Sequence, residues 1–218
     1  METNNKKLKF AMLFSGGKDS TIALGKMIRA GHIPVCIVVG KMTDGLTHMH
    51  LLRDTFMDRY SDALNLPLFE VVMKSKYDFA AWDRAIKELI KEYHIDAVCN
   101  GDIAFEYSMN NLKRLAEDNG LKMFAPLWGV NEENIIKELS DYKVIVKSIE
   151  RKIGLDDIVG QELSDEIINR LHEKGIQLSS GTLEMHTIAV DGPVFSHPIE
   201  FMIKDIIKTE RIVIADII

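Results

Sequence analysis

The sequence predicts an α/β fold: a parallel sheet covered by helices, followed by a smaller C-terminal α+β region. Three observations carry this. Short β-branched runs alternate with helical stretches through the first 125 residues. One strand, Pro34 to Gly40 (PVCIVVG), is apolar almost throughout, as expected where both faces of a parallel sheet are covered. After Pro126 the alternation gives way to isolated helices and β-rich runs.

The elements follow in order. Lys9 to Phe14 reads as a strand ending in a glycine-rich loop. From Thr21 to Ala30, Leu24, Met27 and Ile28 mark one helical face, and Met49 to Leu64 places Met49, Leu52, Phe56 and Tyr60 on another. Leu68 to Met73 is the next strand, Asp83 to Tyr93 the next helix, and Ile95 to Asn100 a short strand. Phe105, Met109, Leu112 and Ala116 form a further apolar helical face that Gly120 terminates as a C-cap. Such strand–helix repetition implies right-handed parallel crossovers. In the tail, Asn131 and Ser164 are suited to cap helices, and Lys143 to Ser148 reads as a strand. The runs HTIAV and RIVIAD are β-rich, while Phe201 to Lys208 fits helix or strand. The expected division is residues 1–125, binding nucleotide, and 126–218, binding substrate.

Composition limits the function classes. Hydrophobic residues make up 46% and charged residues 28% of the 218, an ordinary globular balance. No apolar stretch approaches the roughly 20 residues that span a bilayer, and Met1 to Lys9 has no signal-peptide core. The expectation is a cytoplasmic protein with no membrane partner. Cys36 and Cys99 sit in apolar runs without a CxxC pairing, as small core residues of a reduced protein do. A net charge of −6 without a dense basic block argues against a nucleic-acid partner. Homodimerisation is expected on no particular sequence feature.

The chemistry concentrates in Ser15-Gly16-Gly17-Lys18-Asp19-Ser20, at a strand-to-helix junction. Gly16 and Gly17 permit backbone geometry closed to other residues and let an anion approach the main chain. Amides at the start of the following helix face that anion, aided by the helix dipole. Ser15 and Ser20 add hydroxyls and Lys18 a positive charge. Asp19 repels a phosphate, so it suits a magnesium ion or a bracing role. Neither GxxxxGK[ST] nor GxGxxG is present.

The loop resembles the SGGxDS "PP-loop" of the ATP-pyrophosphatase superfamily. That resemblance implies a Rossmann-like parallel sheet of the PP-loop type, with ATP cleaved between its α- and β-phosphates. Further stretches narrow it: Met49-His50-Leu51-Leu52-Arg53, Gly101-Asp102-Ile103, Ala125-Pro126-Leu127-Trp128, Glu184-Met185-His186-Thr187 and Asp191-Gly192-Pro193-Val194-Phe195. In this order they are similar to the diphthine–ammonia ligase family, which forms the last amide of diphthamide on elongation factor 2.

The resemblance implies ATP and Mg2+ as cofactors, and ammonia and an acceptor carboxylate, diphthine in the family, as partners. A carboxylate attacks the α-phosphorus, and ammonia then displaces AMP from the acyl-adenylate. It implies ATP contacts from Ser15 to Ser20, Gly101 and Asp102. Asp19 and Asp102 become candidate magnesium ligands, with helix capping as the other role open to Asp102. Lys18, Glu184 and His186 become candidate catalytic residues. Glu184 would bind ammonium or accept its proton, and His186 would orient either or serve a structural hydrogen bond. His50, Arg53, Glu184, His186 and Thr187 are the candidate acceptor contacts. Departures from the family pattern fall on the acceptor side: Ser180-Gly181 replaces a Gly-Glu, Leu183 and Met185 replace a glycine and an aromatic, and Asn110-Asn111 stands where an arginine is usual. The same chemistry on a small-metabolite carboxylate, a tRNA-modifying PP-loop enzyme and a non-catalytic nucleotide sensor are the competing readings.

Overall fold

The computed structural model describes residues 7–42, 52, 54–75, 78–180 and 184–218. The first half alternates as its sequence does. Strand β1 (Lys9–Leu13) leads into helix α1 (Lys18–Arg29), then β2 (Ile33–Met42), α2 (Asp54–Leu64), β3 (Leu68–Met73), α3 (Phe79–Tyr93), β4 (Ala97–Cys99), α4 (Glu106–Asp118) and β5 (Lys122–Phe124). The five strands are parallel, in the order β3-β2-β1-β4-β5. The chain thus builds outward from β1 to β3, then returns to lay β4 on the other side of β1. Loops leaving β1 and β4 open a crevice at this reversal, the place where ligands of such sheets bind.

The second half supplies α5 (Glu132–Leu139), β6 (Lys143–Glu150), α6 (Asp165–Glu173), β7 (Met185–Asp191), β8 (Ile203–Lys208) and β9 (Ile212–Ile217). Its strands form an antiparallel sheet ordered β7-β6-β9-β8. Phe201 to Lys208, open to either structure by sequence, is a strand from Ile203 because it pairs with β9. One apolar core joins the two sheets: Phe10, Ile22, Leu24 and Tyr60 pack in the same cluster as Ile135, Val144, Ile188 and Val213. A second core, with Cys36, Val38, Ala85, Leu89 and Val98, covers the other face of the parallel sheet. Cys36 and Cys99 are free and fully buried. No helix among the described residues is long and apolar enough to cross a membrane.

Two expectations change, and one strand is added. Helix α1 begins at Lys18, three residues earlier than its apolar periodicity, because Ser20 and Thr21 hydroxyls donate to the Gly17 carbonyl (3.1 and 2.9 Å) and wind the loop into the first turn. The apolar face expected of α4 is mostly unburied: Ala116 is buried, Met109 and Leu112 are partly covered, and Phe105 is 38% exposed. Short β5 has no distinct sequence signal and exists through its pairing with β4. The caps match expectation, with Asn131 and Ser164 side chains accepting from Asn134 and Ile167 amides, and Gly120 at φ +73° just past α4.

Candidate functional site

The loop from Phe14 to Gly17 lies at the carboxyl end of β1, directly in the crevice. Phe14 still belongs to the sheet, its amide donating to Val38 carbonyl at 2.8 Å. Gly16 then turns at φ +80°, a conformation that favours glycine. Gly17 is the N-cap of α1 and offers no side chain. The Ser15 and Ser20 hydroxyls lie 3.2 Å apart, and Ser20 Oγ also accepts from the Ser15 amide at 3.3 Å. The two serines therefore close the loop across its mouth. The first-turn amides of α1 have no preceding helical carbonyl and remain directed out of the helix end.

Strand β4 completes the crevice. A Cβ on Gly101 would come within 2.6 Å of both Asp19 carbonyl carbon and Ser20 amide nitrogen, so only a glycine lets the β4 loop close on the start of α1. Asp102 is thereby brought beside Asp19. Burial pushes the Asp102 carboxyl above the usual carboxylate range, hydrogen bonds from Ser108 and Asn100 oppose the rise, and the Asp19 charge adds to it. The Asn100 Nδ2 donates to Asp102 Oδ2 at 2.8 Å. Asp102 is not the cap of α4; Phe105 occupies that position without a side-chain bond.

Lys18 is buried at 6% exposure, its Nζ donating to Asp19 Oδ1 at 2.6 Å and to Leu178 carbonyl at 3.2 Å. The Leu178 segment is itself anchored from α5: Glu132 accepts from the Leu178 and Ser179 amides, each at 2.8 Å. The free edge of β7 docks on the loop. Ala189 amide donates to Gly16 carbonyl at 2.8 Å, and Lys18 amide donates to Thr187 Oγ1 at 3.1 Å. Thr187 thus caps α1 from the other sheet.

The late segment divides. By strand alternation the His186 side chain leaves β7 on the face opposite Thr187. Glu184, just before the strand, pairs with Lys152 at 3.2 Å, and Lys152 also reaches Glu150 at 2.7 Å. His50 and Arg53 lie outside the described residues. Glu132 and Lys152 were not singled out by sequence, and Tyr60 only as an apolar helix position: their partners Leu178, Glu184, Gly16 and Ala189 lie far along the chain, which leaves no local pattern.

This arrangement can hold a polyanion through helix-start amides, two hydroxyls and a lysine. It also fits magnesium, which takes one or two carboxylates together with phosphate and water oxygens; Asp19 and Asp102 would hold it. No larger cluster of His, Cys, Asp or Glu suited to a metal occurs among the described residues.

Residues 8–123 match the family model described as the diphthamide synthase N-terminal domain, more than half of the chain. Mouse diphthine–ammonia ligase is 24% identical over 221 residues, covering 88% of this chain and 82% of the mouse protein. The human protein of that name is 23% identical over 220 residues, with the same coverage. A solved structure described as a predicted subunit of tRNA methyltransferase from Methanocaldococcus jannaschii overlays at a TM-score of 0.45 with 16% identity, covering 88% of this chain and 100% of that one.

Proposed function

Since the chain belongs to the diphthamide synthase family, we propose that it is an ATP-dependent, AMP-forming ligase that converts a carboxylate to a primary amide with ammonia. The observation that carries the reading is the intact Ser15–Ser20 loop at the sheet's topological reversal, closed by Gly101 against α1. The similarity to diphthine–ammonia ligases along most of the chain supports the amide chemistry.

In this reading residues 1–125 hold ATP and residues 126–218 present the acceptor. Helix-start amides, Ser15, Ser20 and Lys18 bind the β- and γ-phosphates, leaving the α-phosphorus toward the β4 loop. An acceptor carboxylate oxygen attacks that phosphorus and the bond to the β-phosphate oxygen breaks, releasing pyrophosphate. Ammonia then attacks the acyl carbon, the acyl–oxygen bond breaks, AMP leaves, and the nitrogen loses a proton. Bound at Asp19 and Asp102, magnesium would offset phosphate charge. Glu184 and His186 are the groups proposed to bind ammonium or take the proton, and His50, Arg53 and Thr187 the further acceptor contacts. Water must be excluded, because it would hydrolyse the acyl-adenylate.

The proposed acceptor is the diphthine carboxylate of elongation factor 2, in a cytoplasmic setting. The changes at Ser180-Gly181, Leu183 and Met185 favour one second reading, the same reaction on a smaller carboxylate. The test combines the protein with ATP, magnesium, ammonium and diphthine-bearing elongation factor 2. AMP and pyrophosphate should appear together with the acid-to-amide mass change on the modified histidine. AMP release with small carboxylates alone would select the second reading. Release of ADP and phosphate would sink both.

A further inference from the structure

Tyr60 lies on α2, fully buried, with its hydroxyl at 2.8 Å from Gly16 carbonyl and at 2.8 Å from Ala189 carbonyl. A phenol has one proton, so the two carbonyls share it. One belongs to the phosphate loop and the other to the docking edge of β7. Three rings fix the phenol in place: Phe14 and Phe56 meet it edge-on at 5.1 and 5.6 Å, and Phe195 lies tilted at 6.2 Å.

The contact has a geometric consequence for the loop. The Gly16 carbonyl and the Gly17 amide belong to one planar trans peptide and point in opposite directions. Holding the carbonyl toward Tyr60 and β7 therefore aims the Gly17 N–H back into the loop, where Ser15 Oγ stands at 3.4 Å. The ring also lies so close to Gly16 that a side chain there would collide with it, a Cβ falling 2.8 Å from Tyr60 Cε2. Burial pushes the phenol far above the ordinary tyrosine range, so it is a donor at neutral pH.

We propose that Tyr60 is a positioning residue for the phosphate loop: its shared hydroxyl proton fixes the peptide that aims the Gly17 amide at bound phosphate, and ties that peptide to β7. Occupancy of the loop is thereby transmitted to the strand carrying His186 and Thr187. The inference rests on the nucleotide reading of the loop.

The test compares the parent protein, Tyr60→Phe and Phe56→Leu, using magnesium-ATP as the probe. Tyr60→Phe keeps the ring and loses the donor; Phe56→Leu loosens the same ring cluster and keeps the hydroxyl. Calorimetric titration should show ATP affinity lowered about tenfold by Tyr60→Phe and within about twofold of the parent for Phe56→Leu, although the latter lowers Tm through lost packing. Hydrogen exchange supplies the second readout. In the parent, ATP should slow exchange in residues 185–191; in Tyr60→Phe it should slow the loop but that strand distinctly less, the direct bonds from Ala189 and to Thr187 remaining. If Tyr60→Phe does not fold, p-aminophenylalanine and p-methylphenylalanine at position 60 make the same comparison, one donating and one not. Equal ATP affinity and equal strand response in donor and non-donor proteins would overturn the inference while leaving the nucleotide reading intact. A parent that binds no ATP would overturn both.

Discussion

Asp102, proposed above to hold magnesium, carries a charge that works against the fold. Its carboxyl is raised mainly by burial, with the neighbouring Asp19 charge adding to the effect. An acid raised in the folded state contributes stability below its unfolded pKa, about 3.9, and loses that contribution as pH rises through the folded value. At neutral pH the charge is therefore a cost in the absence of a cation. Asp102→Asn should raise the Tm of the nucleotide-free protein at pH 7 while weakening magnesium-dependent ATP turnover. Calorimetry with and without magnesium-ATP checks both signs, and a lower Tm without ligand would contradict the argument. The same carboxyl should set an acid limb above the ordinary aspartate range in kcat/KM, which reports the nucleotide-free protein. The Ser15–Ser20 turn was legible because its residues are contiguous in sequence at a strand-to-helix junction. Tyr60 was legible only as an apolar helix position, since its hydroxyl partners, Gly16 and Ala189, lie 44 and 129 residues away.

At the level of elements, the Glu132 carboxylate anchors the chain after α6 beside Lys18. Glu132 opens α5, accepts two amides from Leu178 and Ser179, and contacts His172 Nε2 at 2.9 Å. Burial pushes its carboxyl upward, but the hydrogen bonds from His172, Ser179 and Leu178 outweigh burial and hold it below the usual glutamate range. A depressed acid contributes stability above its unfolded pKa, about 4.3, and loses it as pH falls through the folded value. Glu132→Ala should therefore cost about 2 kcal/mol near neutrality, with the gap from the parent closing as denaturation is measured at progressively lower pH below about 4.3. A pH-independent gap would show that lost packing, rather than the charged bonds, is responsible. The sequence did not mark Glu132, because its partners Leu178 and Ser179 lie 46 and 47 residues away. The alternation of β1 to β4 was legible because each strand and helix carries its own period. The role of α4 was misjudged for the complementary reason: a helical period does not say whether anything packs against it, and Phe105 and Tyr107 are left 38% and 51% exposed.

At the scale of the whole molecule, the two sheets meet on α1, and Thr187 is, with Tyr60, one of the side chains that join them at the Ser15–Ser20 loop. Its hydroxyl takes the Lys18 amide, one of the helix-start donors that an anion would otherwise satisfy. Sequence patterns placed each region's elements but carried no information about this junction, because periodicity is a property of one segment at a time. Thr187→Val keeps the side-chain shape and removes the acceptor from a buried position, so the nucleotide-free protein should lose about 1 kcal/mol, as for a deleted helix cap. If bound phosphate faces the same helix end, its charge compensates for the missing hydroxyl. The stability gap between Thr187→Val and the parent should then narrow when both are melted with saturating magnesium-ATP. An unchanged gap would mean that Thr187 only fastens the sheets together, with its amide partner shielded from the nucleotide. A gap that widens would place the hydroxyl itself among the groups that bind ATP. The narrowing is expected because, in the proposed function, the nucleotide would face the same first turn of α1 on which β7 docks.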